Sequence, residues 1–467
     1  MVVVLADAVC FFTPTYTMRN IIERNIFVRN IIVLAVLLIF ATGLQLPDIL
    51  FSEMLPEIHT NGTSYAAEHR MNASPEYHFD STGISRQVLE NYLKHSITLT
   101  SLLEAPSLAA DTGGLFPDKE DDIRLVRNIG AKLIGRVMYR WGREDVLNNP
   151  LYRDEAKRIA AIIHESDPDI VLQAFLCEIV TPRVNDIKIP GWAFAALGLA
   201  EEDRNFYYDD MLALNGRFVN HWGTSSVPDV SRTETKLWFT FLAGYYMEIG
   251  CEAFHLGQVN LMNMNDPDFK HWAELIGHIR ALAEMKIRRG WVILDAHTPR
   301  GHMVVDGKSL LDFNSFPLRI KEVAGKPTEG ILEAGYSDSL YKRSQGGVTP
   351  SGWECDSLPY LVEFDNFGIS RTPGESTLDS HYIWGYDEIS WFYLLGAESR
   401  AAWLKYAYDW LRETDPSGFL QMPAGRLVTL PTPEGGSRVR ARFRANPPSE
   451  TIPDGKGLED VIKELWR

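Results

Sequence analysis

The sequence is poor in the features that define several large functional classes. Cysteine is scarce: only Cys10, Cys177, Cys251 and Cys355 occur in 467 residues, with no CxxC pair and no Cys/His spacing of the zinc type. Neither a disulfide framework nor a structural zinc is expected, and Cys177 and Cys251, set in apolar strand-like runs, read as buried thiols. There is no G-x-G-x-x-G and no P-loop, which removes the usual nucleotide-binding uses of an α/β sheet. Positive charge is also in deficit. With 46 Lys and Arg against 62 Asp and Glu, the formal net charge is −16 and the sequence pI is near 5.3. Nucleic-acid binders concentrate cations to displace counterions from phosphates, so no nucleic-acid partner is expected, and the substrate should be neutral or cationic. Low-complexity stretches and internal repeats are missing, and 45% apolar with 23% charged residues is the composition of an ordinary globular protein. The length fits one large domain with appendages.

Long apolar runs are nearly absent as well. The exception is residues 31–40, Ile-Ile-Val-Leu-Ala-Val-Leu-Leu-Ile-Phe, preceded by Arg19, Arg24 and Arg29. This run is shorter than the roughly 20 residues that cross a bilayer. A basic region followed by a short apolar core matches a signal peptide or weak membrane anchor, so residues 1–46 are expected to direct export, either secreted or anchored. A buried N-terminal helix in a cytoplasmic protein is the alternative. Residues 47–120 are polar and irregular, carry N-x-S/T sequons at Asn61 and Asn72, and read as a linker leading into a first helix.

Beyond that point apolar runs of strand length alternate with amphipathic helical stretches, the pattern of βαβ units around a parallel sheet. Strands are expected at 131–139, 170–177, a short one ending near Val227, 251–258, 291–297, 310–314, 360–365 and 382–386. Eight such units predict the α/β class and a TIM-type (β/α)8 barrel over residues 121–411, with an N-terminal extension and an irregular C-terminal tail, residues 412–467, packed on it. Between the strands, Ser231-Arg-Thr-Glu234 reads as a capping box opening a helix that Gly250 stops, and 267–289 reads as another helix.

In such barrels the chemistry sits at the C-terminal ends of the strands, and side-chain alternation says which residues point inward. In Tyr360-Leu-Val-Glu-Phe-Asp-Asn-Phe-Gly, Val362 and Phe364 take one face and Leu361, Glu363 and Asp365 the other. The apolar pair should face the helices and the two carboxylates the barrel mouth, where two nearby carboxylates at low dielectric keep one proton between them. Alternatively, Glu363 pairs with an inward arginine such as Arg136 or Arg319, and Asp365 alone is functional. The fifth strand repeats the pattern, with Val292, Leu294 and Ala296 outward and Asp295 and His297 inward. That pair suits proton transfer or hydroxyl binding, or else forms a satisfied core pair.

His255 and Gln258 close the fourth strand, and Glu178 follows the second strand at the rim, as a candidate acid or a salt-bridged loop residue. Gln173 and Glu252 fall in the lower barrel layer. At a strand-to-helix transition, Asp387 and Glu388 follow Trp384 and Tyr386, which suit a binding platform; Asp387 can equally cap the next helix. Further aromatics, Tyr139, Trp141, Trp192, Tyr207, Tyr208, Trp222 and Trp353, fall in expected loops, and their flat faces suit sugar C–H faces and protein cores alike. Gly346-Gly-Val-Thr-Pro-Ser-Gly-Trp353 has the glycines of a mobile active-site loop.

Carboxylates on late strands, a His/Gln pair after the fourth and Trp-rich loops together resemble the (β/α)8-barrel glycoside hydrolases in architecture and residue type, over about residues 131–391. The resemblance implies a glycosidase that hydrolyses a neutral carbohydrate without a cofactor by paired-carboxylate acid/base catalysis. It maps the nucleophile or base, expected after the seventh strand, to Asp365 or Glu363. The acid/base expected after the fourth strand has no counterpart, because that strand ends in His255 and Gln258, so the role passes to Asp295 or Glu178. His255, Gln258, His297, Asp387 and Glu388 would hold hydroxyls, and Trp192, Trp353, Trp384 and Tyr386 would stack on the sugar. Two rival readings stand beside this one: a metal-dependent hydrolase with His255, Asp295, His297 and Asp387 as ligands, and a non-catalytic carbohydrate-binding barrel.

Overall fold

The computed structural model describes residues 74–104, 118–138, 140–366, 382–431 and 438–467. The apolar run at 31–40, the sequons at Asn61 and Asn72, and Tyr139 lie outside the described residues. Among the described residues no helix is long and apolar enough to cross a membrane.

The barrel wall consists of β1 (Ser96–Leu99), β2 (Leu133–Met138), β3 (Val171–Phe175), β4 (Ala253–Gln258), β5 (Ile293–His297), β6 (Asn314–Pro317), β7 (Tyr360–Glu363) and β8. The last is one extended run interrupted at Gln421 into Gly418–Leu420 and Met422–Pro431. Its first half pairs in parallel with β7 and its second half in parallel with β1. Both edges of the hydrogen-bonded strand order therefore meet in one piece of chain, and the parallel sheet closes on itself as a TIM-type barrel. A ninth strand, β9 (Arg438–Arg444), lies antiparallel to β8.

Helices α1 (Arg86–Lys94), α2 (Lys119–Ile129), α3 (Pro150–Ser166), α4 (Thr233–Ile249), α5 (Lys270–Lys286), α6 (Glu388–Leu394), α7 (Ala397–Thr414) and α8 (Glu459–Trp466) surround the wall. The α2 ends follow the chemistry of helix termini: Asp118 accepts from the Asp121 N–H, three acidic residues occupy the first turn, and left-handed Gly130 closes the helix. At α4 the expected capping box is not formed. The helix starts at Thr233 after Arg232, and Glu234 instead binds the Arg204 guanidinium and accepts the Tyr207 N–H. Gly250 does stop it, at φ 118°. Among the described residues no helix links β5 to β6 or β6 to β7; short ladders such as Val304–Val305 with Lys308–Ser309 fill those connections.

Two expected strands dissolve, and two unexpected ones take their place. Near Val227 there is only an isolated bridge between Val180 and Ser226, and 382–386 makes only the Ile383–Tyr386 bridge of a tight turn. β1 and β8 come instead from the segments read as linker and tail. The two differences offset each other, so the fourth, fifth and seventh strands keep their expected ordinals, while the strand before Glu178 is the third. The sixth strand lies at Asn314–Pro317, a few residues beyond the expected 310–314.

Apolar side chains fill the space on both sides of the wall. Val292, Leu294 and Ala296 of the β5 segment and Val362 and Phe364 of β7 and its end join the main cluster beneath the helices. A second cluster closes the N-terminal end: Tyr77, Phe79, Ile84, Leu89, Tyr92 and Leu93 pack on strand-start residues such as Leu133, Val171 and Ile293. The plug thus covers the end away from the C-terminal strand ends, where barrel active sites lie.

Candidate active site

Inside the barrel the polar side chains form two connected pairs. Glu363, on β7, is buried and accepts from Arg136 Nε at 3.2 Å and from Arg136 Nη2, from Arg426 Nη1, and lies 3.2 Å from His297 Nε2. Burial alone would raise its pKa, but Arg136 and Arg426 outweigh that and hold the carboxyl well below the usual carboxylate range. Asp295, on β5, accepts from Gln173 Nε2 at 2.6 Å, and its other oxygen is 2.6 Å from His255 Nδ1. With no guanidinium against it, burial pushes Asp295 up to about 7. The same burial drives His255 well below its ordinary value, so its ring is neutral. The His255 and His297 rings meet edge to face at 4.7 Å and join the two carboxylate clusters.

Local backbone irregularities place these groups. The β2–β3 register shifts between Ile134 and Met138, and within this bulge Arg136 adopts a left-handed φ of 61°. Bulges re-aim side chains, and this one delivers the guanidinium to Glu363 across the barrel. On β4 the register shifts between His255 and Gln258, where Gly257 has φ 66°. A Cβ there would sit 2.2 Å from Glu178 Oε2, so glycine is what lets Glu178 approach. Glu178 is buried and accepts from Gln258 Nε2 at 2.8 Å and from the Gln258 N–H at 3.3 Å.

Arg136, Gln173, His255, Asp295, Ser315, Leu361, Glu363 and Gln421 line a cavity of about 10 Å³, close to the space one water molecule needs. His255 Nε2 is buried without a hydrogen-bond partner among the described residues, and a water in this cavity can satisfy it.

Asp365 sits one step above, at the rim, with its side chain 21% exposed and 3.4 Å from Arg426 Nη2. Its N–H donates to Glu388 at 3.1 Å. Glu388 also accepts from the Ile320 N–H at 3.1 Å, and burial raises its pKa to about 7. It thus ties together the chain leaving β6 and β7. Arg319, the other arginine considered for Glu363, is bound to Asp338.

Several expected site residues work elsewhere. Asp387 caps α6 by accepting the Ser390 N–H at 2.9 Å, which is its structural alternative. Trp192 stacks on Phe241 of α4 at 6.3 Å with Lys286 of α5 over its ring, in the helical layer. The Trp353 indole donates to Ile84 O at 3.0 Å, and Ser351 Oγ accepts the Ile84 N–H, so the 346–353 loop belongs to the N-terminal plug. The chain must return to that end before β7 begins, which is why this loop cannot reach the mouth. Trp384 donates to Glu329 O at 3.2 Å on a side arm, and Tyr386 packs half-buried against the main cluster. Among the described residues no group of three or more His, Cys, Asp or Glu side chains is placed to hold a metal ion. Of the four ligands considered, Asp387 is committed to its helix.

Sequence reasoning missed Arg426, Gln421 and Ser315. The first two lie on β8; Arg426 stands out as the buried cation of an apolar stretch, Leu-Val-Thr-Leu, whose strand character was masked by the neighbouring Pro423 and Gly425.

No protein family and no curated protein sequence matches this chain. Among solved structures it is similar to the debranching enzyme of Nostoc punctiforme, with 11% identity and a TM-score of 0.39, covering 80% of this chain and 79% of that one. It is also similar to the cyclic α-maltosyl-(1→6)-maltose hydrolase of Arthrobacter globiformis in complex with maltose, with 12% identity and a TM-score of 0.41 over 80% and 83% of the two chains. A β-L-arabinopyranosidase from Geobacillus stearothermophilus in complex with arabinose follows, with 10% identity and a TM-score of 0.37 over 80% and 78%.

Proposed function

We propose that the chain is a glycosidase-type hydrolase of a neutral carbohydrate, with Asp295 carrying the proton and Glu363 the negative charge. The observation that carries this reading is that two carboxylates line one cavity in opposite surroundings: Arg136 and Arg426 hold Glu363 in its charged form, while Asp295 meets Gln173 and His255 and burial pushes it up to about 7. Groups whose environments separate them in this way divide into an acid and a base or nucleophile. In glycoside hydrolysis the acid protonates the departing oxygen while the carboxylate activates water or attacks the sugar carbon. Asp295, titrating near neutrality, is suited to the first role. Asp365 and Glu178 lie just beyond the ends of β7 and β3.

The test is Asp295→Asn assayed on a panel of aryl glycosides against the wild-type protein. Turnover should fall about 10²- to 10⁴-fold, and in the wild type it should decline above about pH 7 as the acid loses its proton. Unchanged turnover in the variant would sink the reading. One observation favours a second reading, a carbohydrate-binding barrel without turnover: both Glu363 oxygens are already occupied by guanidinium groups. Binding on a glycan array with no product from any bound glycan selects that alternative.

A further inference from the structure

The three tryptophans first expected to stack on substrate are held elsewhere, yet two others stand beyond the C-terminal ends of barrel strands. Trp141 follows β2, and Trp222 lies on the excursion after β3, packed against Phe175, Cys177 and Ile179 where that strand ends. Their rings meet at 4.9 Å and 65°, and Trp141 is 37% exposed. The exposed His221 ring lies 4.5 Å from Trp222.

The loop is firmly held in place. Ser226 Oγ is 2.6 Å from Tyr208 Oη and accepts the Asn220 N–H at 2.8 Å, and Val180 bridges to Ser226. Phe218 and Asn220 take left-handed φ values, 61° and 54°; asparagine adopts this readily, but for Phe218 it is costly and persists only where the surroundings impose it. The ledge is continuous with the candidate active site. Phe175, in the cluster beneath Trp222, lies 5.0 Å from the His255 ring and carries Arg136 over its face at 4.7 Å.

We propose that Trp141 and Trp222 form a stacking subsite for an outer residue of an extended neutral oligosaccharide whose scissile end lies over Asp295 and Glu363. The proposal deepens the glycosidase reading and rests on it for the position of the scissile bond. Flat indole faces with an imidazole at their edge match a sugar's C–H face and hydroxyl rim. The acidic net charge of −16 opposes an anionic polymer at the same place. Because Phe175 and its cluster intervene between the ledge and the carboxylates, the subsite serves chains and adds nothing for the shortest saccharides.

The experiment uses the full chain with a ladder of malto-, cello- and xylo-oligosaccharides of two to six units, followed by titration calorimetry and tryptophan fluorescence. Wild-type affinity should rise with chain length in one series. Trp141→Ala should weaken the longest member roughly three- to tenfold, leave the disaccharide unchanged and keep the thermal midpoint; Trp141→Phe should restore most of the loss. An equal loss at every length, no loss at any length, or no binding of any member overturns the subsite. A ledge used by a second copy of the chain would appear as a dimer dissociated by Trp141→Ala, which also overturns it. Length-dependent loss in Trp141→Ala together with absent turnover would uphold the subsite and reject the hydrolase reading; turnover insensitive to chain length would do the reverse.

Discussion

Asp295 should make the native protein less stable as pH rises, and replacing it with asparagine should remove that dependence. Burial moves its pKa from 3.8 to about 7. The unfolded chain therefore releases this proton near pH 4, whereas the folded chain keeps it until about pH 7. Between those values the folded state binds more protons, so stability falls with rising pH. The favourable contribution is complete below about pH 4 and lost above about pH 7. Moving the carboxyl from 3.8 to about 7, at about 1.4 kcal/mol for each tenfold change in acidity, is worth about 4 kcal/mol.

Asparagine mimics the protonated acid. Its carbonyl can accept from Gln173 Nε2 and its amide can donate to His255 Nδ1, two of the contacts Asp295 makes now. Urea unfolding of both proteins between pH 4 and pH 8 measures the effect, because titrating groups remote from Asp295 cancel in the difference. Relative to wild type, Asp295→Asn should gain about 4 kcal/mol across that range while losing turnover, the exchange of function for stability expected at a strained site. A difference that stays flat with pH, or that runs the other way, would refute the assignment of a buried protonated carboxyl.

Two further outcomes follow from the placement of residues. Arg426→Met removes one of the two guanidiniums holding Glu363 and leaves part of a buried charge uncompensated, so thermal and urea unfolding should show a loss of about 3–5 kcal/mol. Ser351→Ala deletes the acceptor of the Ile84 N–H and should cost about 1 kcal/mol by urea unfolding, with kcat/KM unchanged because the loop lies in the N-terminal plug.

The fold was legible wherever a strand announced itself by an apolar run of adequate length. β2, β3, β4, β5 and β7 are such runs, and each lies within the span its pattern predicts. β1 and β8 escaped for physical reasons. Four residues, Ser-Ile-Thr-Leu, are too few for a period to show, and β8 carries Pro423 and Gly425, which ordinarily argue against a strand interior. In the closed barrel that objection lapses at the register irregularity, where Thr98 pairs with Pro423 and Leu99 with Gly425. Conversely, 382–386 has the aromatic composition of a strand, but Gly385, at φ 85°, turns it back on itself.

The candidate site was readable through period two and unreadable through loops. Alternation alone directed Asp295, His297 and Glu363 into one interior, because a residue between two helix-facing neighbours on a barrel strand has nowhere else to point. It could not assign their charges, which depend on partners far apart in sequence. Glu363 is anionic because Arg136 arrives from a bulge on β2 and Arg426 from a strand hidden by its proline, while burial raises Asp295, which no guanidinium hydrogen-bonds. Nor could composition say which tryptophans face a ligand, since Trp192 and Trp353 serve the protein's own packing as readily as Trp141 can serve a sugar. The protonation of the two carboxyls is therefore set by burial and by where the arginines fall. Moving a guanidinium from Glu363 to Asp295 would exchange which carboxyl holds the proton without altering either residue.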